Sequence, residues 1–227
     1  MTSFNELRQA SYTTPRWDVF TMVPLTAMSV LDVGCSTGAL GANLRTARPG
    51  RKVIGVEGDA EFVSEAATRL DRVIHADLNL LEWANAFSDA KFDCIIFADV
   101  LEHLVDPRKQ LTQAQCCLRS GGCFVISLPN IRHVSSLYSI FVRGTFPQRE
   151  RGIFDKTHLR WFTIRDAEEL IADVGMKIEA MSYSLRLGDR GGGMLNKIAG
   201  RLLDPIQTWF LIREFLAYQF CLRAVKK

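Results

Sequence analysis

Three acids stand at or near the ends of short apolar runs: Asp32 in VLDVG, Glu57 in VIGVEGD and Asp77 in HADL. The first is followed by Gly34 and Gly38 with small residues between them. A carboxylate at the mouth of a glycine turn repels a diphosphate but suits a ligand carrying an ammonium group and a positive sulfur centre. An acid about 20 residues beyond such a turn, where Glu57 stands, can accept from both hydroxyls of a ribose. Asp77 could accept from an adenine amino group. Each acid alone reads more simply as a strand-end cap or a surface charge; three at successive strand ends favour a nucleoside site.

Two nucleoside ligands compete for that turn. A dinucleotide fingerprint G-x-G-x-x-G aligned on Gly34 requires glycine at positions 36 and 39, which hold Ser36 and Ala39. The middle glycine lets backbone approach a pyrophosphate, so its absence argues against that ligand. S-adenosylmethionine, which carries both the ammonium and the sulfonium, is the better fit.

The elements that must position these residues alternate in type. Ser29 to Gly34, Val53 to Glu57, Arg72 to Asp77, Phe92 to Asp99 and Gly122 to Leu128 read as buried parallel strands. Gly38 to Ala47, Ala60 to Leu70 and Pro107 to Arg119 read as helices, the last stopped by Ser120-Gly121-Gly122. The sequence predicts an α/β fold, a doubly wound, mostly parallel sheet with its ligand at the carboxyl ends of the strands. Beyond it, Thr163 and Asp166 make a capping box, Ala167, Leu170, Ile171 and Val174 form one apolar face, and Gly175 supplies the stop. Met176 to Leu185 and Ala217 to Val225 are further strands, separated by a glycine-rich joint at Gly188 to Gly193 and a helical stretch from Met194 to Phe215. Residues 1–227 read as one domain: a lid or helix over 1–28, a nucleoside-binding core over 29–185 with an acceptor loop over 129–162, and a helical insertion and final strand over 186–227.

The stretches VLDVGCSTGALGANL, VIGVEGDAEFVSEAATRL, HADL, FDCIIFADVLEHLVDP, LRSGGCFVISLPNIRH and GIFDKTHLRWFT together resemble a class I S-adenosylmethionine-dependent methyltransferase. The resemblance is to the small-molecule and glycan-associated group related to ubiquinone-biosynthesis O-methyltransferases, over roughly residues 28–180. It implies a Rossmann-like methyltransferase fold with a seven-stranded sheet whose last strand is antiparallel. It also gives Asp32, Gly34 and Gly38 to the methionine moiety, with Cys35 and Ser36 in the same turn. Glu57, followed by Gly58, goes to the ribose, Asp77 and Leu78 to the adenine, and Ala98 and Asp99 to the wall under the sulfonium. Ser36 departs from the glycine many members carry there. In the N-terminal SYTTPRWDVF, Tyr12 and Arg16 are candidates for a lid, with Arg16 pairing with the cofactor carboxylate; a helix packed on the sheet would explain Trp17 and Phe20 equally.

Methyl transfer to a hydroxyl needs orientation and a base, and the chain holds four histidines. His75 lies within a strand and reads as structural. His158, His133 and His103 border the expected acceptor pocket and are the candidate bases, in that order. Asp99, Glu102 and His103 fall at i, i+3 and i+4, one helical face. The resemblance extends to methyltransferases in which an E-x-x-E-H segment and a later histidine, here His133 or His158, hold a divalent metal. Relatives also carry the E-H pair without metal, so S-adenosylmethionine is the one cofactor expected and no metal ligand is assigned. Arg132, Tyr138, Arg143, Phe146, Arg149, Arg151, Phe154, Arg160 and Trp161 could wall a planar, anionic or sugar acceptor, or simply plug the core.

A net charge of +3 without a basic cluster argues against a nucleic-acid partner. The six cysteines form no C-x-x-C pair and read as reduced core thiols of a cytoplasmic protein. No apolar leader is apparent, and the apolar stretch near the carboxyl end is too broken by charge to span a membrane. The expected partner is a small-molecule or glycan acceptor, with a homodimer as a further option. The competing class is a non-catalytic nucleoside-binding protein whose aromatic loop and apolar tail, including Ile206, Trp209, Phe210 and Phe215, form an interaction surface.

Overall fold

A computed structural model describes residues 16–88, 90–188 and 209–226. Seven strands form one sheet: β1 (Ser29–Val33), β2 (Lys52–Glu57), β3 (Arg72–His75), β4 (Phe92–Ala98), β5 (Leu118–Pro129), β6 (Met176–Leu185) and β7 (Ala217–Lys226), in the order β3-β2-β1-β4-β5-β7-β6. β7 runs antiparallel to both β5 and β6; the pairs among β1 to β5 are parallel. The Rossmann-like architecture and the antiparallel last strand are as expected.

Each central strand sends alternate side chains into two separate cores, the mark of a sheet covered on both faces. Leu31, Val33, Ile95, Phe97, Phe124 and Ile126 pack on one side with Trp83, Leu111 and Ile171. Val30, Cys94, Ile96, Cys123 and Val125 pack on the other with Leu44, Val53 and Leu70. The covering helices are α1 (Trp17–Phe20), α2 (Ala39–Ala47), α3 (Ala60–Ala66), α4 (Trp83–Ala86), α5 (Pro107–Ala114), α6 (Val134–Leu137), α7 (Ile164–Asp173) and α8 (Phe210–Leu216). The capping box of α7 is present on Thr163 and Asp166. All six cysteines are free thiols, and only Cys116 is exposed.

One expectation needs correction. α5 ends at Ala114, one 3-10 turn follows, and β5 begins at Leu118, so Ser120, Gly121 and Gly122 lie inside the strand. Leu118 opposes Phe92 and Cys123 opposes Cys94; the extra residues bulge where Gly121 takes φ +74°, and a bulge is what glycine permits in a strand. In the loop after β5, α6 runs into a π turn over Tyr138–Val142. The N-terminal segment, where described, is packed on the sheet: Val19, Met22, Val23 and Ala27 join the second core, while Trp17 is exposed. Tyr12, Ile206, most of the Gly188 to Gly193 joint and most of the expected 194–215 helix lie outside the described residues.

The sheet order reverses direction at β1, whose neighbours are β2 and β4. A crevice at the carboxyl ends of β1 and β4 is where such a sheet binds its ligand.

Candidate active site

The turn from β1 into α2 alternates residues of positive φ: Gly34 at +70°, Ser36 at +49° and Gly38 at +76°. Gly38 is also tightly packed, since a Cβ there would stand 3.1 Å from the backbone of Ala66. The amides of Gly34 and Cys35 donate to the Val56 carbonyl at 2.8 and 3.0 Å, stitching the turn to the end of β2. Glu57 completes the join. One carboxylate oxygen accepts from the Ser36 amide at 2.8 Å, and the other accepts from Gly58 and Asp59 at 2.8 and 2.9 Å. A carboxylate offers about four acceptor positions, so Glu57 holds the turn with three and keeps capacity for another donor.

Asp32 sits beneath this turn, 2% exposed. Its Oδ2 has no hydrogen-bond partner among the described residues. Burial, and then the charge of Glu57, push its carboxyl up to about 7, against a smaller lowering by Arg16. Asp77 is exposed and accepts from the Asn79 amide at 2.8 Å through Oδ1, while Leu78 packs partly against the first core. His75 faces the Gly58 carbonyl at 3.0 Å, the structural place expected of it.

Across the crevice, Ala98 ends β4 and Asp99 takes a positive φ of 56°. Both Asp99 oxygens are committed. Oδ1 accepts from the Ser127 hydroxyl at 3.0 Å and from the Gln219 amide, and Oδ2 accepts from Arg16. Arg16 also grips Asp18 with two donors at 3.0 and 2.9 Å and donates to Ser127 at 2.7 Å. Its guanidinium thus bridges Asp18, Asp99 and Ser127. It locks the N-terminal segment to β4 and β5. Gln219 was not singled out in the sequence; it reaches this network only because β7 lies beside β5.

The three candidate bases separate sharply. His133 is fully buried, caps α6 through Ser135, and has both ring nitrogens engaged: Nδ1 with the Ser135 hydroxyl at 2.8 Å and Nε2 with the Arg186 carbonyl at 2.9 Å. Burial holds its pKa below the usual range. It has no free lone pair and is removed from the list. His103 and His158 instead meet, with ring centroids 4.7 Å apart. His158 uses Nδ1 on the Ile153 carbonyl at 3.1 Å, and its Nε2 lies 4.0 Å from Glu102. Burial and the neighbouring His103 lower the His158 pKa. Glu102 is 1% exposed, and desolvation with the nearby Asp99 holds its carboxyl well above the usual range. Its backbone carbonyl accepts from Leu159 and Arg160 at 2.9 and 3.1 Å, which fastens the His158 segment to the end of β4.

In the loop, Phe146 packs edge-on against both Phe154 and Trp161 at 4.9 Å. Arg132 pairs with buried Glu214 at 2.7 Å and lies over Phe215. Tyr138, Phe141 and Val142 are exposed.

A glycine turn held by an acid from β2, with a second acid buried under it at the reversal point of this sheet, is a nucleoside crevice of the Rossmann-like kind. The chain belongs to the methyltransferase domain family, whose profile matches residues 14–180. It is 31% identical over 150 residues to a probable S-adenosylmethionine-dependent methyltransferase of Mycolicibacterium smegmatis, 66% of this chain and 52% of that one. It is 33% identical over 132 residues to the ubiquinone biosynthesis O-methyltransferase of a Ruegeria species, 55% of this chain and 50% of that one. The chain thus spans about half the length of these curated relatives. Among solved structures, magnesium protoporphyrin IX methyltransferase from Synechocystis with bound S-adenosylhomocysteine shares the fold at TM-score 0.62 and 17% identity, over 100% of this chain and 89% of that one.

Proposed function

We propose that the protein transfers a methyl group from S-adenosylmethionine to a hydroxyl of a small metabolite, natural product or sugar or glycan precursor. The observation that carries the cofactor half is the orphaned, buried oxygen of Asp32. An ammonium group brought to the turn would supply both the missing donor and the missing counter-charge, and an unpaired buried carboxylate is otherwise costly. Glu57 would take a ribose hydroxyl with its remaining acceptor capacity, Asp77 and Leu78 would border the adenine, and Ala98 and Asp99 the sulfonium.

In the transfer, the acceptor oxygen attacks the methyl carbon in line with the carbon–sulfur bond. The new oxygen–carbon bond forms as that bond breaks, and its electron pair leaves on sulfur, turning the sulfonium into a thioether. The hydroxyl proton passes to the His103–His158 pair, the two shortlisted histidines that keep a free ring nitrogen. Alignment of the two reactants accounts for most of the acceleration in such a reaction, and a base adds ~10²- to 10⁴-fold. The ubiquinone O-methyltransferase likeness supports oxygen as the receiving atom. A screen of hydroxylated acceptors with methyl-labelled cofactor tests the reading: labelled ether product is expected, and binding of S-adenosylhomocysteine without turnover on any acceptor would sink it.

One observation favours a second reading. Tyr138, Phe141 and Val142 on the loop, and Trp209, Phe210 and Leu211 at the start of α8, are exposed apolar residues. They suit an interaction surface, with another protein or a second copy of the chain, in a protein that binds the nucleoside without turnover.

A further inference from the structure

Resting on the methyltransferase reading, we infer that the acceptor carries an oxyanion, a carboxylate or phosphate group, besides its hydroxyl, and that Arg186 and Arg151 bind this group at the carboxyl rim of the sheet.

Topology puts both arginines beside the crevice. β6 ends at Leu185 and β7 begins at Ala217, and these two residues pair across the antiparallel ladder. On its other side β7 sets Gln219 opposite Pro129, the last residue of β5. Arg186 and Tyr218 therefore stand at the same rim as Asp99, which Gln219 reaches. The Arg186 guanidinium lies over the Tyr218 ring, 4.4 Å from its centroid, and Tyr218 packs edge-on against His133 at 5.2 Å. Ile153 joins this corner to the histidine pair. Its amide donates to the Tyr218 phenol oxygen, and its carbonyl accepts from His158 Nδ1 at 3.1 Å and Trp161 Nε1 at 3.0 Å.

Positive charge gathers here without a counter-charge. Burial raises the Tyr218 pKa, and the charges of Arg186, Arg149 and Arg151 pull against it. His133, lowered first by burial, is lowered further by the charge of Arg186, so two neighbouring rings sense the same cation. Residues 129–162 hold five arginines and one lysine against two acids, Glu150 and Asp155. Both acids are engaged elsewhere: Glu150 pairs with Lys156 at 2.8 Å, and Asp155 accepts from the amide and hydroxyl of Thr157 at 2.8 and 2.6 Å. Glu214 is held by Arg132 at 2.7 Å and Arg213 at 3.4 Å. Among the described residues, neither Arg151 nor Arg186 pairs with an acid. Arg186 is half-buried, and a guanidinium partly removed from water gains most from a ligand that brings the missing charge.

The rings of the loop point away from the other acceptor classes. Phe146 is set on edge against Phe154 and Trp161 rather than parallel to either, so these rings support one another instead of flanking a planar ligand or a sugar. An arginine fork, by contrast, matches two oxygens of a carboxylate or phosphate.

The test has a binding arm and a transfer arm. In the first, inorganic phosphate and benzoate are titrated calorimetrically into the protein with S-adenosylhomocysteine present. The wild type should bind at least one of them, Arg186→Gln at least ~10-fold more weakly and Arg151→Gln at least ~3-fold. Lys52→Gln removes the same charge from the start of β2, at the opposite rim, and should change binding by less than ~2-fold. Arg151 is exposed, so its variant carries the result if Arg186→Gln fails to fold. In the second arm, methyl-labelled cofactor is offered with glucose 6-phosphate against glucose and with 3-hydroxybenzoate against phenol. The anionic member should be the better acceptor, with KM raised at least ~10-fold and kcat within ~3-fold in Arg186→Gln, and the pair that responds separates phosphate from carboxylate. Binding of neither ion by the wild type, an equal loss in Lys52→Gln and Arg186→Gln, or neutral compounds methylated as well as their anionic partners overturns the inference. Ion binding that depends on Arg186, with no transfer to any acceptor, upholds the anion site and tells against the methyltransferase reading instead.

Discussion

Asp32 and His133 show how much one side chain's surroundings decide. The Asp32 carboxyl, pushed up to about 7 by burial, binds its proton more tightly folded than unfolded. Its contribution to stability is therefore full below about pH 4, is lost as pH climbs through about 7, and changes no further above that. Ligand binding runs the other way, since an ammonium is attracted by the ionised form. Affinity for S-adenosylhomocysteine should rise several-fold between pH 5.5 and 8 with a midpoint near 7, and Asp32→Asn should be flat across that range and at least ~10-fold weaker, as calorimetry at each pH would show. A pH profile in the variant matching the wild type would move the ammonium elsewhere. For the histidines, His133→Ala should lower stability by about 1–3 kcal/mol, by loss of a cap and a buried hydrogen bond, while turnover per folded molecule holds. His158→Ala also removes a buried imidazole and its bond to the Ile153 carbonyl, so stability should fall as well, but turnover per folded molecule should drop at least ~100-fold. Sequence could not separate the two, because both stand in polar, aromatic segments. What separates them is the Arg186 carbonyl, 53 residues from His133.

At the scale of elements, the strands were legible wherever a buried run is continuously apolar, as in β1, β2 and β4. The caps were legible wherever the partner is local, as with Thr163 and Asp166. Errors fell where the chain breaks its own pattern. Ser120-Gly121-Gly122 has a helix-stop composition, yet it serves as a bulge inside β5. In the α6 segment the usual amphipathic order is inverted: Ser136 and Ser139 are buried while Tyr138, Phe141 and Val142 are exposed, so periodicity gave no helical signal. Gly55 of β2 shows how element packing shapes the cofactor turn. It lies opposite Asp32 in the sheet, and a Cβ on it would come to 2.4 Å from Cys35 Sγ and 2.8 Å from Leu70. Gly55→Ala should therefore cost about 1–3 kcal/mol of stability and, by displacing Cys35 from the turn, weaken S-adenosylhomocysteine binding. Denaturant unfolding paired with calorimetry measures both, and a variant with unchanged values for each would mean the turn is not wedged between β1 and β2.

The whole molecule is closed by its last strand. β7 enters between β5 and β6, so residues near the carboxyl end complete a crevice that begins at Asp32. This is why the polar floor of Arg16, Asp99, Ser127 and Gln219 could not be assembled from any single stretch of sequence: it draws on four segments. Asn130, at the outlet of β5, is the tie between this strand and the acceptor loop. Its buried amide donates to the carbonyls of Glu214 and Ala217 at 2.9 Å each, and its oxygen accepts from Arg132 at 3.0 Å. Its backbone amide donates to the Tyr218 carbonyl at 3.0 Å. Removing the side chain leaves two buried carbonyls and one amide short of a partner, at about 1–3 kcal/mol for each group that water cannot reach. Asn130→Ala should thus lower stability by about 2–4 kcal/mol and, under native conditions, speed amide exchange along β7 and over residues 131–133 together, while β1 to β3 keep wild-type protection. Exchange that accelerates uniformly across the sheet would instead place β7 in the same cooperative unit as the nucleoside half. The acceptor side could then not open without loosening the turn that holds the cofactor.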